Sequence, residues 1–311
     1  IRDLNLAKGI RESLKCKVSF AFNHEKALSR LAKAKNFKVT RLPIAQNFDL
    51  IIADSPYLRK SDFRKIRGKT KILLVISEGG RNLPLEADIL LIPNLNNIRL
   101  NGAYKNLKYL SGRQYLLLGK EFMDLAGKKK IINRDVKKVF ICFGGSDPGN
   151  ISKKAINILK KYDGLSNLKV TLTLGHANIK TPYFKKANLR QYNIELRIGI
   201  TDVAKYLFDA DLAIISGGTL MYEACALGIP SIIISQNKDQ EKEAKFLEKS
   251  GAVFNLGPHQ YLTEKSFLDL FSLALEDFEV RKKLSIKCKK LIDPFGVNRV
   301  VKKIAAKIGG L

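Results

Sequence analysis

The sequence predicts an α/β protein built as two successive halves, each a parallel sheet with helices on its faces. Three observations carry this. The chain of 311 residues is about twice an ordinary domain length. Short apolar runs of strand length alternate with helical spacings twice over, once across 18–93 and again from 137 onward. Between the two series, the segment from Gly119 to Arg134 is basic, contains Gly127 and reads as a link. The expected domains are 1–125 and 126–311.

The elements follow in order. Ile1, Leu4, Ala7, Ile10 and Leu14 recur at helical spacing. The runs 18–22, 37–42, 48–54, 71–77 and 87–93 read as strands, with a helix over 24–34 between the first two. A unit of this type ordinarily opens on a strand. This half opens on a helix, so its first strand is expected to be missing. The second half begins with a strand at 137–143 and a helix at 152–162. Strands at 169–174 and 194–200 follow, then a helix at 201–210 capped by Thr201. Strand 211–216, helix 219–228, strand 230–235 and helix 239–251 come next, and the chain from Thr263 onward is largely helical. Two such halves fit Rossmann-like domains facing each other across a cleft.

Composition narrows the function classes. Hydrophobic residues make up 45% and charged residues 27%, which suits a folded chain rather than a disordered one. No apolar run approaches the length that spans a bilayer. Cys16, Cys142, Cys225 and Cys288 share no close spacing, which argues against a disulfide framework or a zinc ribbon. His24, His176 and His259 lie far apart and form no metal-ligand pair, so neither a metal nor another cofactor is expected. The net charge is +27 and is spread along the chain; its tightest run is Lys128-Lys129-Lys130. No stripe with interleaved aromatics accompanies it, so a nucleic-acid partner is not expected. A solvated basic surface is the plain reading, and attraction of an anionic substrate or membrane surface is the functional one. The chain shows no signal peptide, and a cytoplasmic location is the expectation. Nothing in the sequence speaks to oligomeric state.

Two strand-to-helix junctions carry the chemistry. In the first, a buried strand runs into Gly144-Gly145-Ser146-Asp147-Pro148, with a helix from about Ile151. Ser146 and the free N–H groups of that helix suit phosphate oxygens; an ordinary turn capped by Ser or Asp is the structural alternative. In the second, a strand runs into Ser216-Gly217-Gly218-Thr219 and a helix, with Thr219 as the expected cap and Glu223 one turn in. A carboxylate there can accept two ribose hydroxyls, or can simply complement the helix dipole. Two such junctions in one half point to a nucleoside diphosphate. Neither has the spacing of a Walker A loop or of the dinucleotide fingerprint.

These motifs carry a resemblance. FGGSDPGN (143–150), DLAIISGGTLMYEACALGIPSIII (211–234) and the downstream Gln240 resemble the UDP-sugar hydrolases of pseudaminic acid biosynthesis. Those enzymes are relatives of the peptidoglycan glycosyltransferase that acts on lipid-linked muramyl intermediates. IRDLNLAK (1–8), ADSPY (53–57), ADILLIPN (87–94), GRQYLLLGKEF (112–122) and LIDPFGVNRVVKKI (291–304) extend the similarity over nearly the whole chain.

The resemblance implies a GT-B fold and a UDP-sugar substrate. It implies hydrolysis of UDP-2,4-diacetamido-2,4,6-trideoxy-β-L-altropyranose at the anomeric carbon, with inversion and release of UDP. By it, Asn150 and Glu223 contact substrate, and Gly144, Gly145, Ser146, Gly217, Gly218 and Thr219 line the loops around UDP. Asp147, Ser216, Asp239 and Gln240 belong to the same motifs, and Asp54 and Tyr57 are sugar-contact candidates.

The chain departs from the pattern at three places. The family's base is a His directly before the segment that opens here at Ile1, so the catalytic His is expected upstream of Ile1. Asp239 stands where the family usually has Asn. Ser77-Glu78 stands where it often has Asp-Asp. Two rival readings share the donor site: a GT-B glycosyltransferase that passes the sugar to an acceptor, and a UDP-sugar-binding homologue without turnover.

Overall fold

The structure is a computed structural model; it describes residues 1–22, 26–54, 58–78, 86–96, 98–100, 109–175, 183–184, 188–200 and 202–309. The chain divides into two compact units, residues 1–120 with 294–311 and residues 121–293.

The first unit holds α1 (Arg2–Leu14), β1 (Ser19–Phe22), α2 (Lys26–Ala34), β2 (Lys38–Arg41), β3 (Phe48–Asp54), α3 (Lys60–Arg67), β4 (Thr70–Ile76), β5 (Ile89–Ile92) and β6 (Tyr109–Ser111). Its strands are parallel but lie in two sheets, β1-β2 and β3-β4-β5-β6. Helix α1 packs on both. Leu6 and Ile10 join Leu74, Ile76 and Leu91 with Leu50 and Ile52 alongside, while Ala7 and Leu4 pack with Phe20, Phe22, Phe37 and Val39. Among the described residues, β1 and β3 each keep one edge without a ladder partner.

The second unit holds α4 (Lys120–Ala126, which starts at the unit boundary), β7 (Lys138–Cys142), α5 (Ile151–Leu159), β8 (Lys169–Leu174), β9 (Ile194–Ile198) and α6 (Val203–Asp209). It continues with β10 (Leu212–Ser216), α7 (Thr219–Leu227), β11 (Ser231–Ser235), α8 (Lys238–Lys249), β12 (Phe254–Pro258), α9 (Glu264–Glu276) and α10 (Phe278–Leu291). All six strands are parallel, in the order β12-β11-β10-β7-β8-β9. β10 and β11 are buried along their whole length, as a sheet covered on both faces requires. Helices α8, α9 and α10 start on explicit caps. Asn237 accepts from the Gln240 N–H at 2.9 Å, Thr263 forms a capping box with Ser266, and Asp277 accepts from the Val280 N–H at 2.9 Å.

The structure divides the chain differently from the sequence reading at two points, the first being a boundary after Lys120 rather than after residue 125. The last helix, α11 (Gly296–Ile308), belongs to the first unit, not the second. Val297, Val300, Val301 and Ile304 form its apolar stripe, and they enter the same cluster as Leu6 and Ile10 of α1. The segment from Gly119 to Arg134, read as a basic link, contains α4. Thr201, proposed as a helix cap, lies outside the described residues.

Candidate functional site

The strand order of the second unit reverses between β7 and β10. Successive strands β8 and β9 lie to one side of β7, and β10, β11 and β12 to the other. In an open parallel sheet, ligands bind beyond the carboxyl ends of the strands at this switch point. The Gly144–Asn150 junction follows β7 and the Ser216–Thr219 junction follows β10, so the two motifs flank that crevice. Ladder pairing of Ile215 with Cys142 in neighbouring β10 and β7 keeps the two ends level.

The second junction is open. The N-cap of α7 is Gly218, in extended conformation, with no side-chain cap. Thr219 is therefore the first helical residue, not the cap expected of it. The Met221 N–H turns back to the Gly218 carbonyl at 2.9 Å, which leaves the N–H groups of Thr219 and Leu220 for an anion, and the helix dipole adds to their pull. Ser216 is buried at the strand end. Glu223 lies one turn into α7 and is buried. Burial, then the nearby charge of Glu121, pushes its carboxyl up to about 8.

The first junction is built differently. Asp147 is buried with φ of 38°, and its two oxygens accept from the N–H of Ile151 and of Ser152, both at 2.9 Å. The start of α5 is thus already satisfied. Asp147 serves as an internal cap, so the N–H groups of Ile151 and Ser152 are not free for the phosphate oxygens expected of them. What remains exposed is the turn itself, Gly144, Gly145 and Ser146, with Gly144 at φ of 85°. Asn150 is exposed, in left-handed conformation, beside it.

Two residues not singled out by the motifs hold this turn in place. A Cβ on Gly175, at the end of β8, would stand 2.1 Å from the Gly145 carbonyl oxygen, so the two backbones touch. The His259 ring lies against Gly149, where a Cβ would meet its Cε1 at 2.7 Å. A glycine directly after a strand was the only sequence signal for the first, and nothing local signalled the second. His24 and His176 lie outside the described residues.

Gln240 ties the third loop to the second. Its Oε1 accepts from the Gln236 N–H at 2.9 Å, and Gln236 donates from Nε2 to the Phe143 carbonyl at 2.6 Å. The ends of β7 and β11 are so connected, with Gln240 resting on the Gly217-Gly218 turn. Asp239 is exposed in the first turn of α8, where a carboxylate complements the helix dipole.

In the first unit, Asp54 ends β3 and is held by Arg2 in a two-point ion pair, Nε to Oδ2 at 2.7 Å and Nη2 to Oδ1 at 2.8 Å. Burial works to raise the Asp54 carboxyl, but hydrogen bonds from Arg2 and Asp3 outweigh it and hold it below the ordinary range. Asp3 is its counterpart. Burial first, then the hydrogen bond with Asp54, pushes it up to about 7. Asp3 was not foreseen as a site residue. Tyr57 lies outside the described residues, so its expected sugar contact has no structural counterpart here.

Comparison with known proteins adds to this. Residues 139–278 match the glycosyltransferase family 28 C-terminal domain. The chain is 23% identical to the spore coat polysaccharide biosynthesis protein SpsG of Bacillus subtilis, over 96% of this chain and 91% of that one. It is 28% identical to the UDP-2,4-diacetamido-2,4,6-trideoxy-beta-L-altropyranose hydrolase of Campylobacter jejuni, over 71% of this chain and 78% of that one. Among solved structures, MurG of Acinetobacter baumannii superposes with a TM-score of 0.65 at 15% identity, covering 98% of this chain and 95% of that one. That likeness establishes the fold as that of the GT-B glycosyltransferases.

Proposed function

We propose that this protein binds a UDP-sugar through the loops after β7, β10 and β11 and cleaves it at the anomeric carbon, releasing UDP. The observation that carries the reading is the open start of α7 at the switch point, with Glu223 buried one turn in. In this reading the N–H groups of α7 hold the diphosphate and Glu223 accepts the ribose hydroxyls. Gly144, Gly145, Ser146 and Asn150 line the opposite wall, Gln240 keeps the Gly217-Gly218 turn in place, and Asp54 is a candidate sugar contact.

The chemistry needs two things. Charge developing on the leaving β-phosphate must be stabilised, which preorganised N–H groups and a helix dipole do well. An attacking water must lose a proton to a base that works near neutral pH. The similarity to the Campylobacter jejuni hydrolase supports water as the acceptor and a 2,4-diacetamido-2,4,6-trideoxy hexose as the sugar, in pseudaminic acid biosynthesis.

A second reading keeps the donor site and replaces water by a sugar acceptor. The match to a glycosyltransferase C-terminal domain favours it, because that match covers the donor half and is equally at home with transfer. UDP release from candidate UDP-sugars, measured without any acceptor, separates the two. Release under those conditions supports hydrolysis. UDP binding without release, both by this chain and by a form extended upstream of Ile1, removes the hydrolase reading and leaves transfer or binding without turnover.

A further inference from the structure

The basic run singled out in the sequence takes no part in the nucleotide loops, and the fold gives it neighbours. Helix α10 buries Arg281, Leu284, Ser285 and Cys288 and turns its other face to solvent. With about 3.6 residues per turn, Lys282, Lys283, Lys289 and Lys290 surround Ile286 on that exposed face. Ile286 is a large apolar side chain left 61% exposed at the centre of a ring of lysines. Lys289 reaches from this face to the Lys128 carbonyl at 3.2 Å, which draws the exposed Lys128 and Lys129 alongside. Lys287 leans the other way, over Gly251. The nearby acids are Glu279 at the start of the helix, Asp293 just past its end, Asp124 one turn before Lys128, and Glu248, which accepts from Asn255 at 3.3 Å. Among the described residues, none of these lysines is in an ion pair.

We propose that the exposed face of α10, with Lys128 and Lys129, docks on an anionic lipid surface. The charge complementarity is one-sided and the face belongs to a single helix. Lysine stems lie along apolar surface while their ammonium groups meet headgroup phosphates, and one exposed isoleucine can enter the headgroup layer. The exposed positions of α10 around Ile286 carry no arginine, and the ring of this helix, Phe278, is half-buried with Arg134 and Lys282 over it. Lysines give no bidentate fork for phosphate, and a ring already covered by cations offers little face for a base to stack on, so the usual devices for nucleic acid are weak here. Point charges spread around an apolar centre suit a laterally mobile lipid surface. The inference stands apart from the nucleotide reading, since none of its residues lies in the loops around Gly144, Gly217 or Gln240.

The test is sedimentation with vesicles. The full chain is mixed with phosphatidylcholine vesicles containing about one-third phosphatidylserine, and with phosphatidylcholine alone, at about 0.1 M salt. A variant carrying Lys282→Glu, Lys283→Glu, Lys289→Glu and Lys290→Glu is compared with a control of equal charge change. The control carries Lys17→Glu, Lys33→Glu, Lys38→Glu and Lys65→Glu, all exposed lysines of the first unit. The native chain is expected to bind only the anionic vesicles. The α10 variant should lose about tenfold or more in partitioning, and the control less than about threefold. Urea midpoints and circular dichroism establish that both variants fold. Equal losses in both variants would reduce the effect to bulk charge and overturn the proposal. So would absence of vesicle binding by the native chain, or an α10 variant that loses polyuridylate binding while keeping vesicle binding.

Discussion

Gln240 is packed directly on Gly217: a Cβ on Gly217 would stand 3.0 Å from the Gln240 Cβ and 3.1 Å from its carbonyl oxygen. The turn after β10 and the first turn of α8 therefore move together. Gly217→Ala is expected to fold, because its neighbours need to yield by only a few tenths of an ångström. It should tilt the start of α7 and weaken UDP binding by about tenfold, the cost of roughly one misplaced charge-assisted hydrogen bond. Gly175→Ala meets backbone at 2.1 Å and cannot be relieved by a side-chain shift. It should cost both stability and binding. Calorimetry with UDP, together with urea unfolding, checks both variants; unchanged affinity in Gly217→Ala removes this turn from the site.

Glu223 makes the site pH-sensitive. Its carboxyl is raised to about 8 in the folded chain, from an ordinary value near 4.5. The folded state thus holds a proton that the unfolded state releases between those values. Stability falls as pH rises through that window. Glu223→Gln removes the dependence and should stabilise the protein at pH above 8 by about 2 kcal/mol or more. Ribose hydroxyls prefer the carboxylate, so UDP binding below pH 8 should release a proton and tighten as pH rises. The same substitution should weaken UDP binding. Calorimetric titrations in buffers of different ionisation enthalpy count the proton; no proton release would place Glu223 outside the ribose site.

Strands such as Thr70–Ile76 and Ser231–Ser235 were legible because a strand covered on both faces is a continuous apolar run between polar ends. The strands Tyr109–Ser111 and Phe254–Pro258 were not, being three residues long in one case and carrying Gly and Pro at an edge in the other. Helix α3 was missed because KSDFRKIR offers only Phe63 and Ile66 as apolar positions. In the site, the Gly-Gly turns were legible as glycine pairs directly after apolar runs; the structure requires glycine at Gly144 for its φ of 85° and favours it at Gly217 for its close contact with Gln240. Which turn is open was not legible: the alternative uses of Asp147 differ only in where two oxygens point. Contacts between distant positions were equally hidden. Cys225 and Cys288 lie far apart in sequence yet share a hydrogen bond in the core, and both stay free thiols.

Arg281 is fully buried and holds the linker to the helical end of the second unit. Nη1 donates to the carbonyls of Ala274 and Leu275 at 3.0 and 2.7 Å, closing the end of α9. Nη2 donates to Asn133, at 3.0 Å, and to Arg134. Arg281→Ala leaves four carbonyls short of donors and opens a cavity. A loss of about 3 kcal/mol is expected from the urea midpoint. Arg281→Lys should recover less than half, because a single ammonium cannot span both pairs. Full recovery by lysine would show that charge, not the planar fork, is what this position needs.

The Asp3–Asp54 pair gives the first unit a titration near neutrality that can be followed by itself. Arg2 is committed to Asp54, so Asp3 is left as the partner that keeps the proton. With Asp3 raised to about 7 from 3.8, the folded state again binds the extra proton, and its contribution to stability is lost as pH rises through 7. Asp54→Asn removes the neighbour whose hydrogen bond and charge hold Asp3 up, and frees Arg2 to pair with Asp3. Both changes act in one direction, so the Asp3 titration should move down by at least about one unit. Carboxyl carbon shifts measured against pH report this directly. A titration that stays near 7 in Asp54→Asn would mean that burial alone holds the proton on Asp3, and that Asp54 and Arg2 act as a separate ion pair.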